Sequence, residues 1–190
     1  MTWLYSKICI PDIEKIKTEL LIAHAELTAL NAGVMFNPLY VNFYAHDLIP
    51  HIPVLAKFLS DNNLLYRLQR CMFAKTNATV PNRIHIDSAN GSVKYSMNIP
   101  LVDCDGTYTA FYQPLPMIAN PAKAFLIADN ELTAVEIGRV ECTAPMIINT
   151  NIPHKGISDR PARQMAFLRF WPELSPDEVE HLSSTLFLNP

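Results

Sequence analysis

Between Asp12 and about Asn31 the apolar residues Ile13, Ile16, Leu20, Leu27 and Leu30 recur at intervals of three, four or seven. That period predicts an amphipathic helix with one face laid on a core. A second, shorter helix is predicted from Pro53 to Ser60, where Val54, Leu55, Phe58 and Leu59 share a face behind a proline suited to a first helical position. Past Asn63 the helical period stops. Segments LLYRLQRCMFAKT, RIHID, VKYSMNIPLV, TYTAFYQP, KAFLIA, APMIINT and RQMAFLRFW take its place, apolar or alternating and rich in β-branched and aromatic residues. They predict at least seven strands. Asn90-Gly91 and Asp105-Gly106 fall between such runs and predict tight reversals. Ser175-Pro176-Asp177-Glu178 offers a cap serine, a first-turn proline and a glutamate three residues after the cap, so a last helix is expected to about Thr185.

The sum is a mainly β domain of sandwich or barrel type with flanking helices. At 190 residues and 49% hydrophobic content the chain suits one core, so residues 1–190 are expected to form a single domain. Its parts are a helical N-terminal portion (about 1–62), a β core (about 64–172) and a C-terminal helix (about 176–185). Fifteen prolines against five glycines fit strand ends and ordered turns.

Charge narrows the function. Charged residues are 17% of the chain and the net charge is −3, which offers no general attraction to nucleic acid or to an anionic membrane surface. No apolar run approaches a membrane span, and the N-terminus MTWLYSKICIPDIEK lacks the pattern of a secretory signal. Cys9, Cys71, Cys104 and Cys142 are scattered without a Cys-x-x-Cys pair and suit a reducing compartment, so a cytoplasmic protein is expected.

The chemistry-bearing candidates begin at RIHID. One residue separates His85 from Asp87, and strand alternation points both to the same face while Ile84 and Ile86 turn toward a core. A His-x-Asp pair alone is weak, since a chain of this composition holds about 0.3 by chance. A second imidazole, His154 in NTNIPHKG, follows the strand-like APMIINT and is remote enough in sequence to come from a neighbouring strand. Two histidines and a carboxylate on one face of an octahedral metal leave three positions open, which suits iron(II) taking up both a co-substrate and dioxygen; zinc favours a closed tetrahedron or one open position. Arg163, nine residues beyond His154, could hold a carboxylate through paired hydrogen bonds.

The order His-x-Asp, distal His, then Arg resembles the 2-oxoglutarate and iron(II)-dependent oxygenase superfamily. Closer still, HKGISDRPARQMAFLRFWPELSPDEVEHL resembles the tail of aspartyl/asparaginyl β-hydroxylases: a His, an Arg nine residues on, a hydrophobic strand, a Trp-containing Pro-Glu-Leu stretch and a helix. The likeness runs from about Arg83 to Leu182. It departs at Asp87, because those β-hydroxylases lack the carboxylate of the first motif. The resemblance implies a double-stranded β-helix (jelly-roll, cupin-like) and Fe(II) held by His85, Asp87 and His154 as the catalytic centre. It also implies 2-oxoglutarate chelated to the metal with its far carboxylate on Arg163, and dioxygen and an unidentified primary substrate as the other partners. Hydroxylation of a C–H bond, in a small molecule or a protein side chain, would then release succinate and CO2. Asn98 in YSMNIPL is a candidate co-substrate contact, because a polar side chain there needs a partner. Two alternatives remain open on the same barrel: a cupin-like metal-binding protein without turnover, and a metal enzyme that does not use 2-oxoglutarate.

Other polar groups carry less. His46, Asp47 and His51 in AHDLIPH fit a loop or helix approach better than a site, and Asp103 with Asp105 fits a hairpin turn better than a calcium loop. His181 is expected at the surface of the last helix and Trp171-Pro172 as a packing lid. Tyr95, Tyr108, Phe111 and Tyr112 are expected as core, some of them inside the barrel.

Overall fold

The computed structural model describes residues 3–30, 32–37, 40–76, 83–87, 94–119 and 125–184. Two antiparallel sheets carry it, with strands numbered in chain order. The major sheet runs, edge to edge, β1 (Tyr5–Lys7), β11 (Met146–Asn149), β6 (Tyr95–Val102), β13 (Arg163–Phe170), β4 (Leu68–Thr76), β3 (Tyr40–Tyr44) and β2 (Val34–Asn37). The minor sheet runs β10 (Glu136–Glu141), β7 (Tyr108–Tyr112), β12 (His154–Ile157), β5 (His85–Ile86), β9 (Leu126–Ala128) and β8 (Met117–Ala119).

Eight of these strands form a nested hairpin. β4 pairs with β13, β5 with β12 and β6 with β11, while β7 pairs with β10, and the partners alternate between sheets. Folding a long hairpin over itself in this way makes a jelly roll, and the expected double-stranded β-helix is the fold. β8 and β9 are inserted between β7 and β10 and extend the minor sheet beyond β5.

Alternation decides what each face of the major sheet meets. Val41 and Phe43 of β3, Cys71 and Phe73 of β4, Met97 and Ile99 of β6, and Ala166, Leu168 and Phe170 of β13 pack in one cluster with Ile16, Leu20, Ala23 and Leu27 of α1 (Ile13–Ala29). Leu55 and Leu59 of α3 (Pro53–Asp61) and Val179 and Leu182 of α4 (Pro176–Ser184) close the same cluster. α2 (Ala45–Leu48) is a single turn between β3 and α3. The opposite face contributes Met146, Ile148 and Met165 to a second, smaller cluster with Phe111 and Val140 of the minor sheet, which is the space between the sheets.

Both longer predicted helices stand close to their expected bounds. Leu30, expected on the buried face of α1, lies beyond its last turn and is 72% exposed, while Ala23 fills that face instead. Glu19 of α1 accepts the backbone N–H groups of Val54 and Leu55 (3.0 and 3.3 Å), satisfying the open N-terminus of α3 behind Pro53. At α4 the predicted capping box forms: Glu178 N–H donates to Ser175 Oγ (3.2 Å) and Ser175 N–H to Glu178 Oε2 (2.7 Å).

The N-terminal portion, expected to be helical, also holds three strands, β1, β2 and β3. β3 carries a period-2 pattern, Val41 and Phe43 toward the helices with Tyr40, Asn42 and Tyr44 on the other face, and pairs along its length with β4. The Asp105-Gly106 reversal is present, with Gly106 at φ 75, whereas Asn90-Gly91 and the end of the last helix at Thr185 lie outside the described residues. No helix among the described residues is long and apolar enough to cross a membrane.

Candidate metal centre

β5 is only two residues long, yet it is held from every side. Its His85 is the register partner of Ile127 in β9 and of His154 in β12, so two histidines 69 positions apart in sequence become direct cross-strand neighbours. Glu131 pins the junction by accepting the Ile84 N–H (2.8 Å) and the Lys155 ammonium (2.9 Å). Ala128 N–H donates to the Ile84 carbonyl (2.9 Å), and Asp87 N–H to the Thr150 carbonyl (3.3 Å). Ile84 is buried at 2%, as the alternation requires.

On the inward face the ligand atoms of His85, Asp87 and His154 lie within 4.8 Å of one another, the one such group among the described residues. Each imidazole is fixed in tautomer. The Nδ1–H of His85 donates to the Arg83 carbonyl (2.8 Å) and that of His154 to the Ile152 carbonyl (2.9 Å). A carbonyl oxygen only accepts, so Nδ1 carries a proton in each ring and Nε2 is the nitrogen that can turn to a metal. Both Nε2 atoms face one carboxylate oxygen, Asp87 Oδ1, at 3.3 and 3.6 Å. The other oxygen, Oδ2, accepts from Arg169 Nη2. Two imidazole nitrogens and one carboxylate oxygen converging with backbone carbonyls behind the rings is a donor set that fits a divalent transition metal.

The electrostatics agree with that chemistry. Burial alone would raise the Asp87 carboxyl, but the Arg169 guanidinium and the two imidazoles hold it well below the ordinary carboxylate range. Burial and the neighbouring His85 push His154 down to about 4, so its ring is neutral, the form that ligates. Burial also opposes the charged form of His85, yet the hydrogen bond and charge of Asp87 outweigh it and raise that ring above the ordinary histidine value.

Arg163 lies at the start of β13, 5% exposed, with Nη2 against Met165 Sδ (2.6 Å) and Cys142 Sγ (3.2 Å). Along β13 it shares the inward face with Met165, Phe167 and Arg169, and six strand residues place the two arginine backbones roughly 20 Å apart. Tyr40 of β3 stands within electrostatic reach of both ends: burial raises its phenol, with Arg163 and Asp87 both acting on it. Asn98 is buried at 1% on β6 and its Oδ1 accepts from Ser96 Oγ (2.5 Å).

The remaining sequence candidates do not join. His46 stays beside Asp47 (3.4 Å), and His51 pairs with Glu26 on α1 (2.9 Å). Asp103 (φ 48) and Asp105 sit at the β6–β7 reversal. His181 is exposed. Trp171, expected as a packing lid, is 62% exposed. Tyr95 belongs to the helix-side cluster and stacks on Trp3 (5.0 Å between centroids), so it is not inside the barrel, whereas Phe111 is, 6.3 Å from the His154 ring.

Two residues beside the site, Arg169 and Arg70, lie outside the His-x-Asp, distal His and Arg163 pattern yet leave a sequence signal. RQMAFLRFW places Arg163 and Arg169 an even number apart, hence on one face, and the same alternation puts Arg70 of β4 on that face opposite Arg169.

No family model matches the sequence, and no curated protein matches it. Among solved structures the fold is similar to that of the epimerase SnoN, determined in complex with Fe3+, alpha ketoglutarate and nogalamycin RO. That likeness has 12% identity and a TM-score of 0.54, covering 87% of this chain and 78% of that one. It is also similar to SnoK, a non-heme alpha ketoglutarate dependent carbocyclase from nogalamycin biosynthesis, at 11% identity and a TM-score of 0.51, covering 87% and 79%. At such identities the likeness speaks for the fold.

Proposed function

We propose that the protein is an Fe(II)- and 2-oxoglutarate-dependent oxygenase that hydroxylates a C–H bond of its primary substrate. His85, Asp87 and His154 hold the metal, and Arg163 holds the far carboxylate of 2-oxoglutarate. One observation carries the reading: both imidazoles have their Nδ1–H tied to a backbone carbonyl and both Nε2 atoms turned to the same oxygen of Asp87. A pair of histidines serving only the packing of a strand has no need of that convergence. The fold shared with SnoN and SnoK, whose own descriptions include alpha ketoglutarate, supports it further.

With iron, 2-oxoglutarate and dioxygen bound, the site supplies an oxidant for an unactivated C–H bond, releasing succinate and CO2. The chain's own contribution is positioning. The two carbonyls orient the imidazoles; Arg169 occupies Asp87 Oδ2 and leaves Oδ1 for the metal. Arg163, buried at the start of β13, brings a planar guanidinium fork suited to a carboxylate. Phe111, Met146, Met165 and Phe167 make the space between the sheets apolar, which keeps water from the reacting groups.

The test is an anaerobic titration with Fe(II) and then 2-oxoglutarate, followed by the visible charge-transfer band of the chelate. The expected outcome is a band in the wild-type protein, with 2-oxoglutarate affinity about tenfold or more weaker in Arg163→Ala, the loss of a charge-assisted pair. Iron binding without a band would move the protein to metal chemistry of another kind, and no iron binding would leave a cupin-like fold without a metal role.

A further inference from the structure

Arg70 and Arg169 are register partners on adjacent strands β4 and β13, facing the space between the sheets at the end where His85, Asp87 and His154 lie. Like charges directly opposite on a sheet repel, so a fold that keeps two guanidinium groups there needs an anion to balance them. Asp87 serves Arg169 through Oδ2. Arg70 is half-buried and makes no hydrogen bond or ion pair among the described residues. Its cross-strand neighbour on the other side is Tyr44, a neutral phenol that is 49% exposed. Burial and then the charge of Arg169 disfavour the ionised form of Arg70, with Tyr44 and Asp87 opposing them. Of the remaining charged groups, Glu173 is acted on by Arg169 as well as by Lys94, but burial outweighs them and raises its carboxyl above the ordinary value.

A charge count sharpens this, taking the ligands of the proposed function as given. Asp87 and the metal-bound carboxylate of 2-oxoglutarate balance a divalent ion, and Arg163 balances the far carboxylate. What is left beside the metal is the Arg70–Arg169 pair with one nearby acid, Glu173, whose ionisation burial opposes, so positive charge remains in excess. Two planar forks side by side suit the two oxygens of a carboxylate.

We infer that Arg70 and Arg169 form a carboxylate-binding subsite that anchors an acidic primary substrate next to the metal. The inference rests on the oxygenase reading for the subsite's role, but its binding test does not. Arg169 is held by Asp87 through Nη2 and by the Tyr95 carbonyl through Nη1 (3.4 Å), so it lends the subsite its fixed charge and its remaining N–H groups. Arg70, without a partner among the described residues, is the member that can give its fork to the substrate, so it is the residue to change.

The probe is benzoate, with benzamide as its neutral match, titrated into Mn(II)-loaded protein and read by paramagnetic broadening of the ring protons, which reports proximity to the metal as well as binding. Benzoate is expected to bind about tenfold more tightly than benzamide, and Arg70→Met to remove that preference, with Arg70→Lys between them. Thermal melting of metal-free Arg70→Met is expected to stay level or rise, since a like-charge pair is relieved; a residue kept for structure alone would lower it. Equal binding of the two probes, or a preference that survives Arg70→Met, overturns the subsite. So does a loss of 2-oxoglutarate affinity in Arg70→Met, which would put the pair in the co-substrate pocket. If the 2-oxoglutarate band fails while benzoate still depends on Arg70, the oxygenase reading falls and the anion subsite stands.

Discussion

The two sheets divide the work of the molecule. The major sheet has the long strands, β4, β6 and β13, and one face of it is sealed by α1, α3 and α4 over a large apolar cluster. The minor sheet is built of short strands, its central β5 only two residues long, yet β5, the residue just after it and β12 supply all three candidate metal ligands. Regular burial fixes the first sheet; hydrogen bonds to Glu131 and to the carbonyls of Arg83, Thr150 and Ile152 fix the second where it matters. Stability and chemistry are therefore held by different interactions, and substitutions should separate them.

The largest separation is expected between Phe73 and His154. Phe73 is 1% exposed in the middle of β4, packed with Phe43 and His24, so Phe73→Ala should cost about 3–5 kcal/mol in denaturant unfolding. His154→Ala removes one hydrogen bond and a ring from the edge of the smaller cluster and should cost about 1 kcal/mol, while abolishing metal binding. An unfolding midpoint that drops as far for His154→Ala as for Phe73→Ala would show that the minor sheet is part of the stability core after all.

Metal loading should then stabilise through the minor sheet alone. An ion at about a hundredfold its dissociation constant adds about 2.7 kcal/mol if it binds only the folded chain. A melting curve with and without Mn(II) measures the gain, which EDTA should reverse and His154→Ala should abolish. Retention of the gain in His154→Ala would place the ion elsewhere.

The same division governs what the sequence reveals. Long strands with a dry face leave a period-2 record, and β4, β6, β7, β11 and β13 all stand within segments that alternate or run apolar. β10 is EIGRVE, charged on its exposed face, and β12 is HKGI, bounded by Pro153 and interrupted by Gly156; neither has the apolar content that marks a strand. β3 hides in a region whose helical period dominates. The convergence of the His-x-Asp pair with the distal His was legible because a candidate metal set restricts residue type more tightly than packing does. Arg169 and Arg70 were not, since an arginine on a strand is ordinary until the partner strand is known, and their meaning comes from a register between segments 99 positions apart.

The smallest expected effect lies at the seam where α4 returns to the major sheet, and it tests whether any charge contributes to the helix-covered side. Glu178 closes the capping box with Ser175 and also accepts from the buried Arg67, whose other guanidinium and Nε hydrogens go to the carbonyls of Glu173 and Pro172. The Arg67 hydrogen bond, against some burial, lowers the Glu178 carboxyl below its ordinary value. A depressed folded value means the stabilisation is present above the ordinary glutamate range and is lost as pH falls through the folded value. Glu178 is partly exposed, so solvent screens the pair and the effect is modest. Glu178→Gln keeps a hydrogen-bond acceptor for the Ser175 N–H but removes the charge. Wild type should therefore be the more stable of the two at pH 7, and the two melting temperatures should converge as the pH falls through the lowered Glu178 value into acid. Ser175→Ala removes the serine half of the cap and should cost about 1 kcal/mol at both pH values. A gap between wild type and Glu178→Gln that stays constant with pH would mean that the seam, like the rest of the major sheet, is held by shape and apolar contact, with the Arg67 pair contributing nothing of its own.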